Sequence, residues 1–159
     1  MEFFTIGVYN SNEKEFFEKL VNNQIDTFCD IRQRRGVRGS KYAFVNSTRL
    51  QERLGELNVK YGHILELAPT EEIRNLQKEA DAEKGELKSE RKELGRTFKE
   101  QYENRILKKF DFESFFEKLD EIGAKKVVLF CVEETPAACH RSLVAKELEE
   151  KFGYDVTHL

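Results

Sequence analysis

The chain has 159 residues, of which 39% are apolar and 36% are charged, and its formal net charge is −3. These values predict one domain of ordinary size and argue against a generally basic nucleic-acid-binding protein. The chain starts without the basic and apolar regions of a secretory signal, and no apolar run approaches the ~18 residues of a membrane span. Its three cysteines do not resemble a secreted disulfide framework, so we expect a cytoplasmic protein with reduced thiols.

The first third of the chain alternates predicted strands with a predicted helix. Residues 3–8 are apolar and β-prone and predict a first strand. Residues 13–23 follow a group of N-cap residues and carry apolar side chains at helical spacing, which predicts a helix. Residues 25–31 predict a second strand, apolar enough to be covered on both faces. Residues 32–40 contain glycines and arginines without an apolar period, and this composition indicates a loop.

The middle of the chain predicts one more helix and one more strand before a highly charged segment. Ser47 is a candidate cap for a helix that runs to about Gly55, and residues 58–67 predict a third strand. Pro69 and Thr70, followed by two acidic residues, mark the start of a new helical region.

Residues 71–105 hold basic and acidic side chains in near-equal number, with sparse apolar residues between them. The apolar positions recur at spacings of three, four and seven, which predicts a thin helical seam. We interpret this segment as a charged helical arm inserted into the domain and exposed to solvent. The alternative is a coiled-coil contact that forms a homodimer.

The last third of the chain predicts a helix ending at Gly123, a strand at residues 126–131, a helix at residues 137–152 and a short strand at residues 154–159. Strands that alternate with helices predict a three-layer α/β fold with a mainly parallel sheet covered by helices on both faces. We therefore expect a single domain over residues 1–159 with a helical insertion at about 71–105. In such sheets, ligands bind outside the carboxyl ends of the strands.

The segment from residue 131 to residue 141 combines several reactive side chains. A strand ends in a thiol, a turn follows, and Pro136 precedes a helix whose start carries a second thiol. The helix dipole and neighbouring cations favour a thiolate at such a position. We predict a catalytic cleft here, and its candidate catalytic residues are Cys131, Glu133, Cys139, His140 and Arg141.

The remaining cysteine and the possibility of a metal site have simpler interpretations. Cys29 lies inside an apolar strand and is expected to be an inert buried residue. Seven residues separate Cys131 from Cys139, and this spacing does not match the paired cysteines of structural zinc sites. No metal ligand is therefore assigned, although His63 and His158 could complete a ligand set from a distance. A metal or thiol-redox site stays as an alternative.

Residues 30–41 are strongly basic within an acidic protein. Glycines allow close backbone approach, and arginine side chains suit phosphate or carboxylate groups. This loop predicts a site for an anion or for nucleic acid. The alternative is a solvated basic loop that balances acidic residues elsewhere.

Several short motifs, taken in order, resemble the domain of unknown function 488 family over nearly the whole chain apart from the charged segment. The motifs are Thr5-Ile6-Gly7, Asp30-Ile31-Arg32, Tyr61-Gly62-His63, Cys131-Val132-Glu133, Pro136-Ala137-Ala138-Cys139-His140-Arg141 and Val156-Thr157-His158-Leu159. The resemblance implies a compact three-layer α/β fold and a catalytic or ligand-binding role for the two cysteines. It supplies no established reaction. Together with the basic loop, it gives the candidate ligand-binding residues Asp30, Arg32, Arg35, Tyr61, His63 and His158.

These residues lead to one preferred function and two alternatives. We expect a site that acts on or binds an anionic, phosphate-bearing ligand, with an anion near Arg32 and Arg141. Cys139 or Cys131 is the candidate reactive thiol, and Glu133 and His140 are the candidates for proton transfer. The first alternative is a non-catalytic module that binds nucleic acid or a nucleotide, and the second is the metal or thiol-redox site. The expected partners are thus an anionic small molecule or nucleic acid and, through residues 71–105, a second copy of the chain, but not a membrane. The sequence does not identify a cofactor.

Overall fold

The computed structural model describes residues 1–87 and 90–159. Within them, five parallel strands form one sheet in the order β3-β2-β4-β1-β5. The strands are β1 (Glu2–Ile6), β2 (Thr27–Asp30), β3 (Lys60–His63), β4 (Lys126–Phe130) and β5 (Val156–His158). The α-helices are α1 (Glu13–Asn22), α2 (Ser47–Glu56), α3 (Glu71–Lys84), α4 (Arg96–Tyr102), α5 (Phe112–Glu121) and α6 (Arg141–Phe152). The predicted three-layer α/β fold is confirmed, with an all-parallel sheet.

The two central strands explain why the chain adopts this sheet. All four residues of β2 are buried, as are Val127, Val128, Leu129 and Phe130 of β4. Strands without a polar face are stable only when helices cover both sides, which is the usual state of a parallel sheet. Asp30 at the end of β2 pairs in register with Phe130 at the end of β4, and Ile6 at the end of β1 pairs with the same residue. The carboxyl ends of three neighbouring strands therefore meet at one edge.

Local hydrogen bonds fix several helix ends. Asn12 caps α1 through a capping box with Glu15, and Thr70 caps α3 by accepting a hydrogen bond from the backbone of Ile73. Gly153 ends α6 with a φ of 69°, a left-handed conformation that glycine adopts at little cost. No helix in the described part of the chain has the length and apolar character needed to cross a membrane.

Several element boundaries differ from the sequence-based prediction. The last helix was predicted over residues 137–152 with Cys139 at its start, but Pro136–Ala138 forms a 3₁₀ turn, Cys139 has extended backbone angles, and α6 begins only at Arg141. The third strand covers only β3, and Leu65–Leu67 forms a 3₁₀ turn instead of continuing the strand. This turn closes by hydrogen bonds from Leu67 to Ile64 and from Ala68 to Leu65. The helix α2 begins at Ser47, but its cap is Asn46, whose side chain accepts a hydrogen bond from the backbone of Val37. Apolar residues in a 3₁₀ turn and in a strand look alike in sequence, which accounts for the longer predicted strand.

The charged segment contains the two helices α3 and α4, but its burial differs from the prediction. Ile73 in α3 and Phe98 and Tyr102 in α4 are buried and belong to the core, as does Leu94 between the two helices. The Phe98 and Tyr102 rings stack with centroids 5.9 Å apart, and the Tyr102 hydroxyl donates a hydrogen bond to the carbonyl of Leu67. The expectation that this segment buries little of the core is therefore wrong. A homodimer contact through it stays a prediction.

Alanine substitutions in α3 and just beyond it test this burial. Ile73→Ala is expected to lower the free energy of unfolding by about 2–5 kcal/mol, because it leaves a cavity at a fully buried position. Leu87→Ala is the matched control, since its side chain is 64% exposed and its truncation should cost less than ~0.5 kcal/mol. Urea unfolding of both variants gives the comparison. Equal stability of the two variants would mean that the segment is not part of the core.

Candidate functional site

A cavity of about 630 Å³ lies at the carboxyl ends of β2 and β4. Its walls come from the loop after β2, the loop after β4 and the segment that carries α3 and α4. Positive side chains dominate the lining, and two acidic side chains accompany them. The cationic residues are Arg32, Arg34, Arg38, Arg74, Lys78 and Arg91, and the acidic residues are Asp81 and Glu133. This is the edge of the sheet at which the sequence predicted a cleft.

Three of the predicted catalytic residues, Cys131, Glu133 and His140, line this cavity. Cys131 lies just past β4, and its Sγ is 3.3 Å from Oε2 of Glu133. Cys139 is 1% exposed and lies outside the lining, but its Sγ is 3.8 Å from Nδ1 of His140. One ligand atom from each of Cys131, Cys139 and His140 lies within 4.8 Å of the other two. The fold thus brings together both thiols, a carboxylate and an imidazole.

The environments of two cysteines have opposite effects on their thiols. Burial opposes ionisation of Cys139, but the hydrogen bond from Cys131 and the positive charges of His140 and Arg141 together hold the pKa of the Cys139 thiol well below its usual range. Burial within β2, and to a lesser extent the charge of Asp30, raises the pKa of the Cys29 thiol to about 12. Cys29 therefore stays protonated at neutral pH, whereas the environment of Cys139 favours a thiolate.

Arg91 connects the charged segment of residues 71–105 to Glu133. It was not among the site residues predicted from the sequence. Its Nη1 donates to Oδ2 of Asp81 at 2.8 Å, and its Nη2 donates to Oε1 of Glu133 at 3.0 Å. Both Nε and Nη2 also donate to the carbonyl of Ala138. All of these groups are buried. A buried guanidinium therefore joins Asp81 of α3 to the carboxylate of Glu133.

Asp30 and Arg32 form a second buried ion pair. Nε and Nη2 of Arg32 donate to the two carboxylate oxygens of Asp30 at 2.8 and 2.7 Å, and Nη2 also donates to the carbonyl of Val45. The guanidinium carbon lies 4.6 Å from the centroid of the Phe130 ring. The remaining nitrogen, Nη1, is buried and has no hydrogen-bond partner among the described residues. Arg32 itself lines the cavity.

Two other predicted ligand-binding residues support this ion pair from β3. The Tyr61 hydroxyl donates to Oδ2 of Asp30 at 2.9 Å, and Nε2 of His63 lies 2.8 Å from the backbone carbonyl of Arg32. Burial raises the pKa of Tyr61, and the negative charge of Asp30 raises it further. Neither side chain is among the described residues that line the cavity. Their contacts indicate that they position Asp30 and Arg32.

The remaining predicted residues lie outside the cavity lining. Arg141 is 1% exposed and donates from Nη1 and Nη2 to the backbone carbonyls of Glu133 and Glu134. His158 is on the edge strand β5, where its Nδ1 is 2.7 Å from the hydroxyl of Thr5. Burial and the positive charge of Arg141 lower the pKa of His158. Arg35 is exposed on the loop after β2.

Gly7 allows the loop after β4 to pack against β1. A Cβ atom at this position would lie 2.0 Å from the carbonyl oxygen of Glu133 and 3.1 Å from Nη2 of Arg141. Only glycine leaves room for this close backbone approach. Together with the two hydrogen bonds from Arg141, it holds the backbone of Glu133 in place.

Comparison with known proteins gives a family and no activity. Neither the curated proteins nor the solved structures include a significant match to the chain. Residues 12–148 match the family described as domain of unknown function DUF488, and this match covers well over half of the chain. The matched region contains β2, β3, β4 and the start of α6, and therefore the cavity cluster. The chain is a member of the DUF488 family of proteins, a domain family of unknown function.

Proposed function

We propose that the cavity binds a phosphate-bearing ligand and that the cluster of Cys131, Glu133 and His140 acts on it. The observation that carries this proposal is the state of Arg32. Its side chain is 3% exposed, it lines the cavity, and its buried Nη1 has no partner among the described residues. A buried guanidinium donor without an acceptor is costly, and an anion in the cavity would supply the missing acceptor.

The charge balance of the lining also favours an anion. Six cationic side chains against two acidic ones leave an excess of four positive charges when His140 is neutral. Both acidic groups, Asp81 and Glu133, already accept hydrogen bonds from Arg91. Arg74 lines the cavity from α3, and its Nε is buried without a partner in the described part of the chain. Guanidinium groups on two walls can bind different oxygens of the same phosphate.

Aromatic side chains in the lining favour an organic phosphate over a bare ion. Tyr9 and Tyr42 line the cavity with ring centroids 5.2 Å apart, and Phe98 contributes a third ring. Aromatic faces stack on flat organic groups, including nucleobases, with little dependence on their exact identity. A nucleotide or a similar aromatic phosphate matches this combination of charge and rings.

The cluster offers proton transfer beside the bound phosphate. Glu133 is oriented by Arg91 at one oxygen, and its other oxygen is 3.3 Å from Cys131 Sγ. Nε2 of His140 is 2.9 Å from the carbonyl of Ile31, which can only accept, so this nitrogen carries a proton and Nδ1 is left as the acceptor in the neutral ring. We assign proton transfer to Glu133 and His140. Arg141 holds the backbone of Glu133 and therefore acts as a positioning residue.

Titration calorimetry with inorganic phosphate, pyrophosphate and ADP tests this function. Arg74→Gln is expected to weaken binding by about tenfold or more, because a hydrogen bond to a charged group contributes roughly 1.5–3 kcal/mol. Arg96→Gln is the matched control, since the Arg96 side chain is 91% exposed and is not among the lining residues. Wild-type protein that binds none of the three probes, or equal affinities for the two variants, would contradict the proposal.

Nucleic-acid binding is the second candidate, and the exposed arginines of the loop after β2 favour it. Arg34, Arg35 and Arg38 are all exposed, but Arg35 is outside the cavity lining. A single-stranded oligonucleotide running along the loop would contact Arg35, whereas a small ligand in the cavity would not. Nucleic-acid binding therefore predicts a steep loss of affinity with salt and a weaker complex for Arg35→Gln. Cavity binding of ADP predicts that Arg35→Gln has no effect.

A further inference from the structure

We infer that Cys131, Cys139 and His140 form a binding site for a divalent zinc ion. One ligand atom from each residue, two sulfurs and an imidazole nitrogen, lies within 4.8 Å of the other two, and all three residues are buried. Ligand atoms bound to a tetrahedral zinc ion are roughly 3.5 Å apart, since zinc–sulfur and zinc–nitrogen bonds are about 2.0–2.3 Å long. The Cys139–His140 distance of 3.8 Å is close to that value. Small side-chain movements would complete the set.

The tautomer of His140 supports metal binding at Nδ1. Its Nε2 is 2.9 Å from the backbone carbonyl of Ile31, and this contact requires a hydrogen on Nε2. The lone pair of Nδ1 then faces the Cys139 thiol. Metal-binding histidines in proteins almost always donate their second ring nitrogen to a carbonyl or carboxylate, which fixes the ring as it is fixed here. The hydrogen bond to Ile31 thus fixes the imidazole ring in the tautomer that leaves Nδ1 free to bind a metal ion.

The ligands are carried by ordered elements that the fold holds close together. Cys131 directly follows β4, and Cys139 and His140 immediately precede α6. The loop between them is fixed by hydrogen bonds from Arg91 to Ala138 and from Arg141 to Glu133. A preformed site of this kind loses little conformational entropy when the ion binds. The long sequence spacing between the cysteines is therefore no obstacle to a shared ion.

Three protein ligands leave one position of a tetrahedral ion open. Cys131 and His140 both line the cavity, so the cavity adjoins two of the three ligand residues. Three protein ligands with an open fourth position are typical of catalytic zinc sites, and two cysteines with one histidine are a known set of this type. On binding, the two sulfurs replace water on the ion as thiolates, and each sulfur that still holds a proton releases it to solvent. This inference depends on the three ligand atoms and not on phosphate binding in the cavity. With zinc on Nδ1 of His140, that nitrogen no longer accepts a proton, so proton transfer beside the ligand is left to Glu133.

Metal analysis of the full chain tests the site. The protein is purified without a histidine tag and in a non-thiol reductant, so that neither binds the metal. Protein stripped with a chelator and reloaded with zinc is expected to hold one ion per chain after gel filtration. Cys139→Ser is expected to lose the ion, and Cys29→Ser, in which the thiol inside β2 is changed, is expected to keep it. Arg74→Gln should also keep the ion, although it is expected to weaken phosphate binding. Zinc content and phosphate affinity therefore test the two proposals separately.

A second measurement on the wild-type chain covers the case in which Cys139→Ser does not fold. Replacing zinc by cobalt should give a thiolate-to-cobalt charge-transfer absorption, and zinc should protect both Cys131 and Cys139 from iodoacetamide. Wild-type protein with no zinc above buffer background, no such absorption and no protection overturns the inference. Loss of the ion in Cys29→Ser to the same extent as in Cys139→Ser overturns it as well. A disulfide between Cys131 and Cys139 that persists under the reductant also overturns the inference, because it leaves no thiolates to bind zinc.

Discussion

Arg91→Met is expected to lower the free energy of unfolding by about 3–5 kcal/mol, because it leaves two buried carboxylates without their shared cation. Asp81 and Glu133 are 7% and 5% exposed, and both accept hydrogen bonds from Arg91. The substitution also removes two donors from the buried carbonyl of Ala138. Methionine keeps much of the length and volume of arginine, so the loss reports mainly on charge and hydrogen bonding.

Urea unfolding of Arg91→Met beside Arg96→Met measures this effect. Arg96 forms an exposed ion pair with Glu100, and exposed pairs contribute only ~0–1 kcal/mol. A stability loss in Arg91→Met no larger than that in Arg96→Met would show that Asp81 and Glu133 do not depend on Arg91. The same variant should weaken ADP binding. Without Arg91, the carboxylate of Glu133 is no longer linked to Asp81, and the cavity loses one of its cationic side chains.

Arg32→Met is expected to destabilise the fold to a similar extent, by about 3–5 kcal/mol. It leaves the carboxylate of Asp30 fully buried with the Tyr61 hydroxyl and one backbone amide as its remaining partners. The double variant Asp30→Asn/Arg32→Met removes both charges and should recover part of this loss. The two single effects are expected to be non-additive by about 0.5–3 kcal/mol, as for other residues in direct contact.

A double-mutant cycle by urea unfolding separates this ion pair from its surroundings. Additive losses for Asp30→Asn and Arg32→Met would mean that the two side chains do not stabilise one another, against the two hydrogen bonds between them. The ion pair and the proposed anion contact of Arg32 involve different nitrogen atoms. Nε and Nη2 hold Asp30, whereas Nη1 is unpartnered among the described residues. Arg74 is therefore the better residue for testing ligand binding, because it forms no buried ion pair like that of Arg32 with Asp30 among the described contacts, and its substitution should change the free energy of unfolding less.

The sheet could be predicted from local patterns because each signal lies within a few residues. Apolar runs marked β2 and β4, and Asn12 with Glu15 marked the start of α1. The third strand was overextended because the side chains of Leu65–Leu67 give no local sign that the backbone tightens into a 3₁₀ turn. The burial of α3 and α4 was missed because a few large rings, including Phe98 and Tyr102, carry it within a highly charged segment.

The location of the cavity was predictable, whereas most of its lining was not. Asp30 and Cys131 end strands that are neighbours in the sheet, so topology alone brings their loops together. Arg91 is 42 positions from Glu133 in sequence, and nothing local distinguishes it from the exposed charges around it. Likewise, the sequence spacing of Cys131 and Cys139 argued against their binding the same metal ion. The loop between β4 and α6 nevertheless brings their sulfurs within 4.8 Å of each other, which the spacing alone does not reveal.

A crystal structure of the wild-type chain soaked with tungstate, an electron-dense analogue of phosphate, tests the central claim most directly. Anion binding in the cavity predicts tungstate density within hydrogen-bond reach of Nη1 of Arg32. This atom is one of three buried side-chain donors that lack an acceptor among the described residues, together with Nε of Arg74 and Nε of Arg141, and Arg32 and Arg74 line the cavity. Tungstate bound only at exposed side chains such as Arg35 and Lys41, with none beside Arg32, would contradict the account.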